Sequence, residues 1–80
     1  MSWDRDDARV FGARVRALRK KQGFSQETLA HEVGVTKNHM QLIEAGRSSS
    51  AISGPPSNPR MSTVYGIAAA LGVHPSELIP

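Results

Sequence analysis

The first part of the chain contains apolar residues at the spacing of one face of a helix. Phe11, Val15 and Leu18 recur at intervals of four and three residues, with charged side chains between them. This spacing predicts an amphipathic helix over residues 7–22. Acidic side chains stand at its beginning and basic ones at its end, the order that the helix dipole favours, and Gly23 ends the segment.

Two short helices with a tight turn between them are expected next. Ser25 and Thr36 carry hydroxyl groups that suit a helix N-cap, which predicts helices over residues 26–33 and 36–45. Gly34 stands between them, where the turn requires a positive φ. The side chains expected to face the core are those of Leu29, Ala30, Val33, Met40 and Ile43.

The second half of the chain begins with a segment that has almost no periodicity. Residues 47–58 are rich in Ser, Gly and Pro, so we expect a long loop there. A fourth helix is expected from about residues 59–61 to Leu71, and a short fifth helix over residues 75–79. The expected inner face of the fourth helix consists of Met61, Val64, Ile67, Ala68 and Leu71. No segment has the alternation typical of a strand, which predicts an all-α fold.

The length and the composition of the sequence exclude several classes of protein. The sequence has 80 residues and no cysteine, so we expect a single domain over residues 1–80 without disulfides or Cys-containing zinc sites. Apolar runs are shorter than the roughly 18–20 residues that a membrane span requires. The N-terminus is acidic and polar instead of basic and then apolar, which favours a cytoplasmic location and no membrane.

Positive charge is concentrated near the N-terminus. The net charge is +3, and residues 1–23 carry seven basic and three acidic side chains. A basic balance suits a polyanionic partner such as nucleic acid, but a solvated helix face would have the same composition.

Residues 26–45 combine a short helix, a turn and a second helix. Ala30 is small where two steeply crossing helices must approach, and Gly34 suits the turn. Together with the shared apolar positions, this indicates a helix-turn-helix unit, whose second helix enters the major groove of DNA. The alternative is an αα-hairpin inside an ordinary helical bundle.

Four stretches resemble one known family. They are GARVRALRKKQGFSQETLA from residue 12, VGVT from residue 33, IEAGR from residue 43 and IAAALGV from residue 67. In this order they are similar to the lambda-repressor-like helix-turn-helix family, also called the xenobiotic-response-element type. The resemblance covers about residues 11–47 and 59–79. It implies a five-helix lambda-repressor-like domain that binds double-stranded DNA and regulates transcription, here with a long loop between helices 3 and 4.

The resemblance also implies which side chains meet DNA bases. The matching positions of the recognition helix, residues 36–45, are Lys37, Asn38, Gln41 and Leu42. Lys can donate to guanine, Asn and Gln can pair bidentately with adenine, and Leu can contact a thymine methyl group. Leu42 has an equal alternative, which is to pack under the long loop.

Four other side chains are expected at the DNA backbone, again from the resemblance. They are those of Gln26, Thr36, His39 and Arg47. Gln26 begins the second helix, whose N-terminus also favours an anion. The alternative for Gln26, His39 and Arg47 is an ordinary solvated surface position.

One pair is expected to be structural. The family pairs an arginine late in the first helix with the glutamate near the end of the recognition helix, which implies an Arg19–Glu44 ion pair here. Such a pair would fix the angle of the recognition helix, so neither residue is expected to contact DNA.

A protein-interaction adaptor and an enzyme are the two alternatives to a DNA-binding protein. A protein-interaction adaptor, antitoxin-like or co-activator-like, would not need donor-rich side chains at positions 37, 38 and 41. An enzyme would need a constellation that is not evident, since His31, His39 and His74 are scattered without paired carboxylates or metal-ligand spacing. We therefore expect no catalytic, cofactor or metal site.

The C-terminal segment contains apolar residues that predict how the chain assembles. Val73, Leu78 and Ile79 form an apolar strip that a short chain can hardly bury alone, which predicts a homodimer through the C-terminal segment. Such a dimer would bind a pseudo-palindromic operator. The loop over residues 47–58 is expected to be mobile and to lie beside the DNA backbone or the dimer interface.

Overall fold

Four α-helices make up most of the computed structural model, which describes residues 2–49 and 54–80. They are α1 (Arg5–Lys21), α2 (Gln26–Val33), α3 (Lys37–Glu44) and α4 (Met61–Leu71), and a 3-10 turn, Pro75–Glu77, comes last. Within the described ranges the only β-type pairing is one isolated bridge between Arg47 and Pro56. The all-α class is therefore confirmed. None of the helices in these ranges is long and apolar enough to cross a membrane.

The predicted fifth helix is wrong, and residues 2–49 and 54–80 contain four α-helices where five were expected. Pro75–Glu77 makes a single 3-10 turn, in which the N–H of Leu78 donates to the carbonyl of Pro75 at 3.0 Å. The Glu77 carboxylate accepts the N–H of His74 at 2.9 Å, so a local cap satisfies the start of the turn. Leu78 is fully buried, and packing then holds the end of the chain without a further helical turn.

α1 begins earlier than the apolar spacing predicts, at Arg5 instead of residue 7. Asp4 accepts the N–H of Asp7 at 2.9 Å, and the Asp7 carboxylate accepts the N–H of Asp4 at 3.0 Å. This reciprocal capping box satisfies two N–H groups that would otherwise have no partner. Apolar periodicity could not locate this start, because the cap is made entirely by polar residues.

The connection between α2 and α3 agrees with the prediction. Gly34 has φ 88° and ψ 27°, in the left-handed region that L side chains rarely adopt. The N–H groups of Gly34 and Val35 both donate to the carbonyl of Ala30, at 2.8 and 3.0 Å. Ser25 and Thr36 cap α2 and α3 through their hydroxyls, as predicted. These contacts hold the two helices of the unit at a fixed angle.

One hydrophobic cluster is shared by all four helices and the residue after the 3-10 turn. Its buried members are Phe11, Val15, Leu29, Ala30, Met40, Ile43, Val64, Ile67, Ala68, Leu71 and Leu78. The expectation for Met61 is wrong, since 62% of this residue is exposed. Met61 is the first residue of α4 and lies one turn before Val64, the first residue of that helix to be buried.

α1 and α3 approach each other closely at Gly12. A Cβ atom on Gly12 would lie 2.6 Å from the main-chain oxygen of Glu44 and closer still to that of Ile43. Ala30, which is buried, was predicted to be the small residue at a helix crossing, and Gly12 was not. The absence of a side chain at Gly12 lets α1 pack directly against the end of α3.

The ends of the loop expected over residues 47–58 are joined to each other. Ser48 donates through its hydroxyl to the carbonyl of Pro55 at 2.7 Å, and the N–H of Ser57 donates to the carbonyl of Gly46 at 3.0 Å. Gly46 has φ 72°, and a Cβ there would meet the Cα of Arg9 at 3.0 Å. The expected mobility of the loop centre, residues 50–53, lies outside the described residues.

Candidate nucleic-acid interface

α3 has one buried side and one exposed side. Met40, Ile43 and Glu44 are buried against the rest of the fold. Lys37, Asn38 and Gln41 are exposed, and residues spaced by three and four lie next to each other on a helix. Three of the four side chains expected at base edges therefore share a solvent-facing surface, and each carries hydrogen-bond donors.

Leu42, the fourth residue expected at the bases, occupies a different environment. Its side chain is half-buried and lines a groove between α3 and the loop. The same groove is lined by Asn38 and His39 on the α3 side and by Ser48 and Asn58 on the loop side. Because Leu42 is half-buried and lines a groove that loop residues also line, the base contact and the packing under the loop both stay predictions for it.

The first turn of α3 holds two residues expected at the DNA backbone. The Thr36 hydroxyl accepts the main-chain N–H of His39 at 3.0 Å, which satisfies one N–H of the helix start. A hydroxyl that accepts one bond retains its own proton for donation, so Thr36 can still bind an anion. The His39 side chain is exposed beside it.

Gln26 begins α2 and is directed toward the end of α3. Its Nε2 donates to Oε1 of Glu44 at 3.1 Å. The amide retains a second N–H, and the side chain borders a depression that Gln41 and Arg16 also line. Gln26 is therefore a half-buried residue with a fixed orientation, not a freely solvated one.

Arg16 is a residue that the sequence analysis missed as part of this surface. It is exposed on α1, and it lines the depression between α1, α2 and α3 together with Gln26 and Gln41. The sequence held a signal for it, because Arg16 precedes Arg19 by one helical turn and the resemblance already placed Arg19 at the end of α3.

The predicted Arg19–Glu44 pair is confirmed. The guanidinium donates through Nε to Oε2 of Glu44 at 2.6 Å and through Nη2 to Oε1 at 3.0 Å. Its Nη1 donates to the carbonyl of Phe24 at 2.8 Å. With Gln26 on the same carboxylate, the negative charge of Glu44 is matched by donors and both residues of the ion pair are buried. The geometry is bidentate, which favours one orientation of α3 relative to α1.

Arg47 lies shortly after the end of α3, where the loop begins. Its N–H donates to the carbonyl of Leu42 at 2.9 Å, and its main chain forms the bridge with Pro56. The side chain is half-buried and borders both the α3–loop groove and a depression beside Arg5 and Arg9. The structure therefore brings Arg47 next to the groove that contains His39 and Leu42.

Residues with metal-ligating chemistry do not cluster in the part of the chain that the structure describes. Residues 2–49 and 54–80 contain no group of three or more His, Asp or Glu side chains that could hold a metal ion. The assembled surface consists instead of amides, hydroxyls and basic groups on and around α3.

Comparison with known proteins identifies the class to which this fold and surface belong. A model of the helix-turn-helix domain matches residues 10–78. An uncharacterized HTH-type transcriptional regulator of Sinorhizobium fredii is 30% identical over 74 residues, which cover 92% of this chain and 84% of that protein. The chain therefore belongs to the helix-turn-helix family of lambda-repressor-like DNA-binding domains.

Solved structures extend the similarity to the arrangement of the helices. The restriction-modification controller protein C.AhdI from Aeromonas hydrophila has a TM-score of 0.78 and 32% identity, with 92% of this chain and 98% of that chain covered. The P22 c2 repressor, solved in complex with a synthetic operator, has a TM-score of 0.73 and 26% identity, with 88% and 92% covered.

Proposed function

We propose that this protein is a sequence-specific DNA-binding transcriptional regulator that inserts α3 into the major groove. The observation that carries the proposal is the exposed surface of Lys37, Asn38 and Gln41 on a helix whose other side is buried. The Arg19–Glu44 pair fixes the end of that helix. A rigid helix with donors on its free side meets the geometric requirement for contacts to base edges.

The surface divides into two proposed roles. Lys37, Asn38 and Gln41, with Leu42 at the edge of the groove, are proposed to contact bases. Gln26, Thr36, His39 and Arg47 are proposed to contact phosphates, which position a protein on DNA without specifying sequence. The pairing of Glu44 with Arg19 and Gln26 supports this division, because no unpaired carboxylate at that position repels a phosphate.

The names of the relatives support the proposed activity. The Sinorhizobium fredii relative is named as a transcriptional regulator, and the P22 c2 repressor was solved on an operator. From these names and from the exposed face of α3, we propose that the partner of this chain is double-stranded DNA. The proposed location is the cytoplasm, and the proposal requires no cofactor.

We also propose that the protein is a homodimer, although the apolar strip that predicted pairing is smaller in the structure than expected. Leu78 was expected to leave an apolar strip exposed, but it is fully buried in the core of its own chain. Ile79 is 37% exposed and Val73 is half-buried, so part of the strip is still accessible. We propose that this remaining C-terminal surface pairs two chains on a pseudo-palindromic operator.

Selection from random duplexes tests the proposed function. The wild-type chain should enrich a short sequence, and the double variant Asn38→Ala/Gln41→Ala should not. Tyr65→Phe is a matched control, because Tyr65 is an exposed polar-tipped residue on α4, and it should enrich the same sequence as the wild type. Binding without enrichment would contradict sequence specificity. No binding to any duplex would favour the adaptor alternative.

A further inference from the structure

The N-terminal segment contacts the loop that follows α3. Trp3 donates through its indole N–H to the main-chain carbonyl of Ser57 at 2.7 Å. Arg5 donates through its guanidinium to the carbonyl of Gly54 at 3.2 Å. The Trp3 ring also lies edge-on against Phe11, with ring centroids 5.9 Å apart and an interplanar angle of 70°. Residues at the start of the chain are thus held between the core and the loop.

Ser57 is fixed on both sides of its main chain. Its carbonyl accepts the bond from Trp3, and its N–H donates to the carbonyl of Gly46 at 3.0 Å. The residue is 4% exposed, and its neighbour Pro56 forms the bridge with Arg47. A chain of contacts therefore runs from Trp3 through Ser57 to the main chain at residues 46–47, directly after α3.

We infer that Trp3 is a positioning residue for Arg47. The indole N–H holds Ser57, Ser57 holds Gly46, and this fixes the direction in which Arg47 leaves the end of α3. The inference rests on the proposed function, in which Arg47 contacts a phosphate. A segment that is ordered before DNA arrives loses less conformational freedom on binding, so Trp3 raises affinity without contacting DNA.

The substitution Trp3→Phe isolates the hydrogen bond. Phenylalanine keeps an aromatic ring against Phe11 but has no donor for the Ser57 carbonyl. In the absence of DNA, the amide proton of Ser57 should exchange with solvent faster in this variant than in the wild type. The dissociation constant for a DNA duplex should rise about threefold to tenfold, because ordering of the segment that this hydrogen bond held would then have to occur on binding.

A matched control is available at the other end of α1. Gln22 donates through Nε2 to the main-chain carbonyl of Leu71, a bond of the same kind that does not involve the loop. Gln22→Met removes that donor. It should change the dissociation constant by less than about twofold, as expected for a site independent of the DNA contacts.

A double-mutant cycle decides whether the effect passes through Arg47. In a chain that carries Arg47→Ala, Trp3→Phe should change the dissociation constant by less than about twofold, because the side chain that it positions is gone.

The inference is overturned if Trp3→Phe leaves exchange at Ser57 unchanged, if its effect on affinity persists in the Arg47→Ala chain, or if Gln22→Met weakens binding as much. A wild-type chain that binds no DNA would overturn the proposed function and this use of Trp3 together. In that case the exchange measurement, which needs no DNA, would still show whether Trp3 holds the loop.

Discussion

Glu44 is a buried carboxylate whose two oxygens are both occupied. Arg19 donates to each oxygen, and Gln26 adds a third bond. Removal of charges from water is costly, and their mutual bonds offset this cost only while both partners are present. The stability of the α1–α3 contact therefore requires both members of the pair, because removal of one leaves the other buried with too few partners.

Glu44→Ala should lower the free energy of unfolding by about 3–5 kcal/mol, because it leaves the buried Arg19 guanidinium with the Phe24 carbonyl as its remaining partner. Urea denaturation measures this loss. Arg9→Ala is the control: it breaks an ion pair with Asp6 that is more than 70% exposed on both sides, and it should cost less than about 1 kcal/mol. Equal losses for the two variants would contradict a structural role for the buried pair.

Side chains proposed for bases and for phosphates should respond differently to truncation. Asn38→Ala or Gln41→Ala should cost about 1–3 kcal/mol on the selected site and little on random DNA. Arg47→Ala should weaken binding to all duplexes alike and reduce the salt slope by about one. Titrations of both duplexes at several salt concentrations measure these effects. Equal losses on specific and random duplexes for all three variants would mean that α3 acts only as an electrostatic contact.

Residue roles were predictable where a chemical pattern or the family resemblance pointed to them. The resemblance carried the Arg19–Glu44 pair, and the need for a positive φ carried Gly34. The role of Trp3 was not predictable. Its partner is a main-chain carbonyl more than 50 residues away, and residue spacing does not predict such a contact. The same holds for Gly12, whose role depends on carbonyl oxygens of α3.

At the scale of elements, the contact between α1 and α3 determines how α3 is presented. The main chains of the two helices meet at Gly12, and the Arg19–Glu44 pair joins them farther along. α1 also carries the capping box that lengthens it at its start. Apolar spacing predicted α1 and a hydroxyl N-cap predicted α3, but neither signal gives the distance between the two helices. That distance depends on the absence of a side chain at Gly12.

Gly12→Ala should destabilise the fold and weaken DNA binding, because the new Cβ would overlap main-chain oxygens that cannot rotate away. Overpacking typically costs about 1–3 kcal/mol, more than the gain of about 1 kcal/mol in helix propensity. Gly66→Ala makes the same substitution in α4, where the nearest atom is a Val33 methyl carbon at 3.3 Å. Thermal unfolding should show a loss for the first variant and little change or a gain for the second. A stabilised Gly12→Ala chain would contradict the close approach.

Element type was predictable for the four long segments and failed for the last one. The 3.6-residue period of α1 and α4 and the hydroxyl caps of α2 and α3 are local signals. Pro75 and Glu77 are also helix-start signals, but the segment makes a single 3-10 turn and Leu78 then packs into the core. Tertiary packing thus determined the conformation of the last segment.

At the scale of the whole molecule, the proposed homodimer requires an exposed apolar surface through which two chains can pair. Among the described residues, three apolar regions are exposed: Val10 on α1, at 36% exposure, Ile79 near the C-terminus, at 37%, and the outer side of α4, where Met61 and Tyr65 are 62% and 59% exposed. The carbonyl of Ile79 accepts a bond from Arg14 at 2.8 Å, which orders the chain end against α1. An ordered apolar end presents a surface at a lower entropic cost than a free tail would.

We therefore predict that Ile79→Glu prevents pairing and Tyr65→Glu does not. The selected sequence should contain two half-sites about 34–36 Å apart. On that duplex, sedimentation should show two wild-type chains, and one chain per duplex for Ile79→Glu. Circular dichroism should remain that of the wild type for both variants, because each residue is exposed and a charge there removes no core contact. A single wild-type chain on a non-symmetric site would contradict the dimer. Loss of pairing in Tyr65→Glu alone would transfer the interface to α4, because the introduced charge would then have been buried between two α4 surfaces.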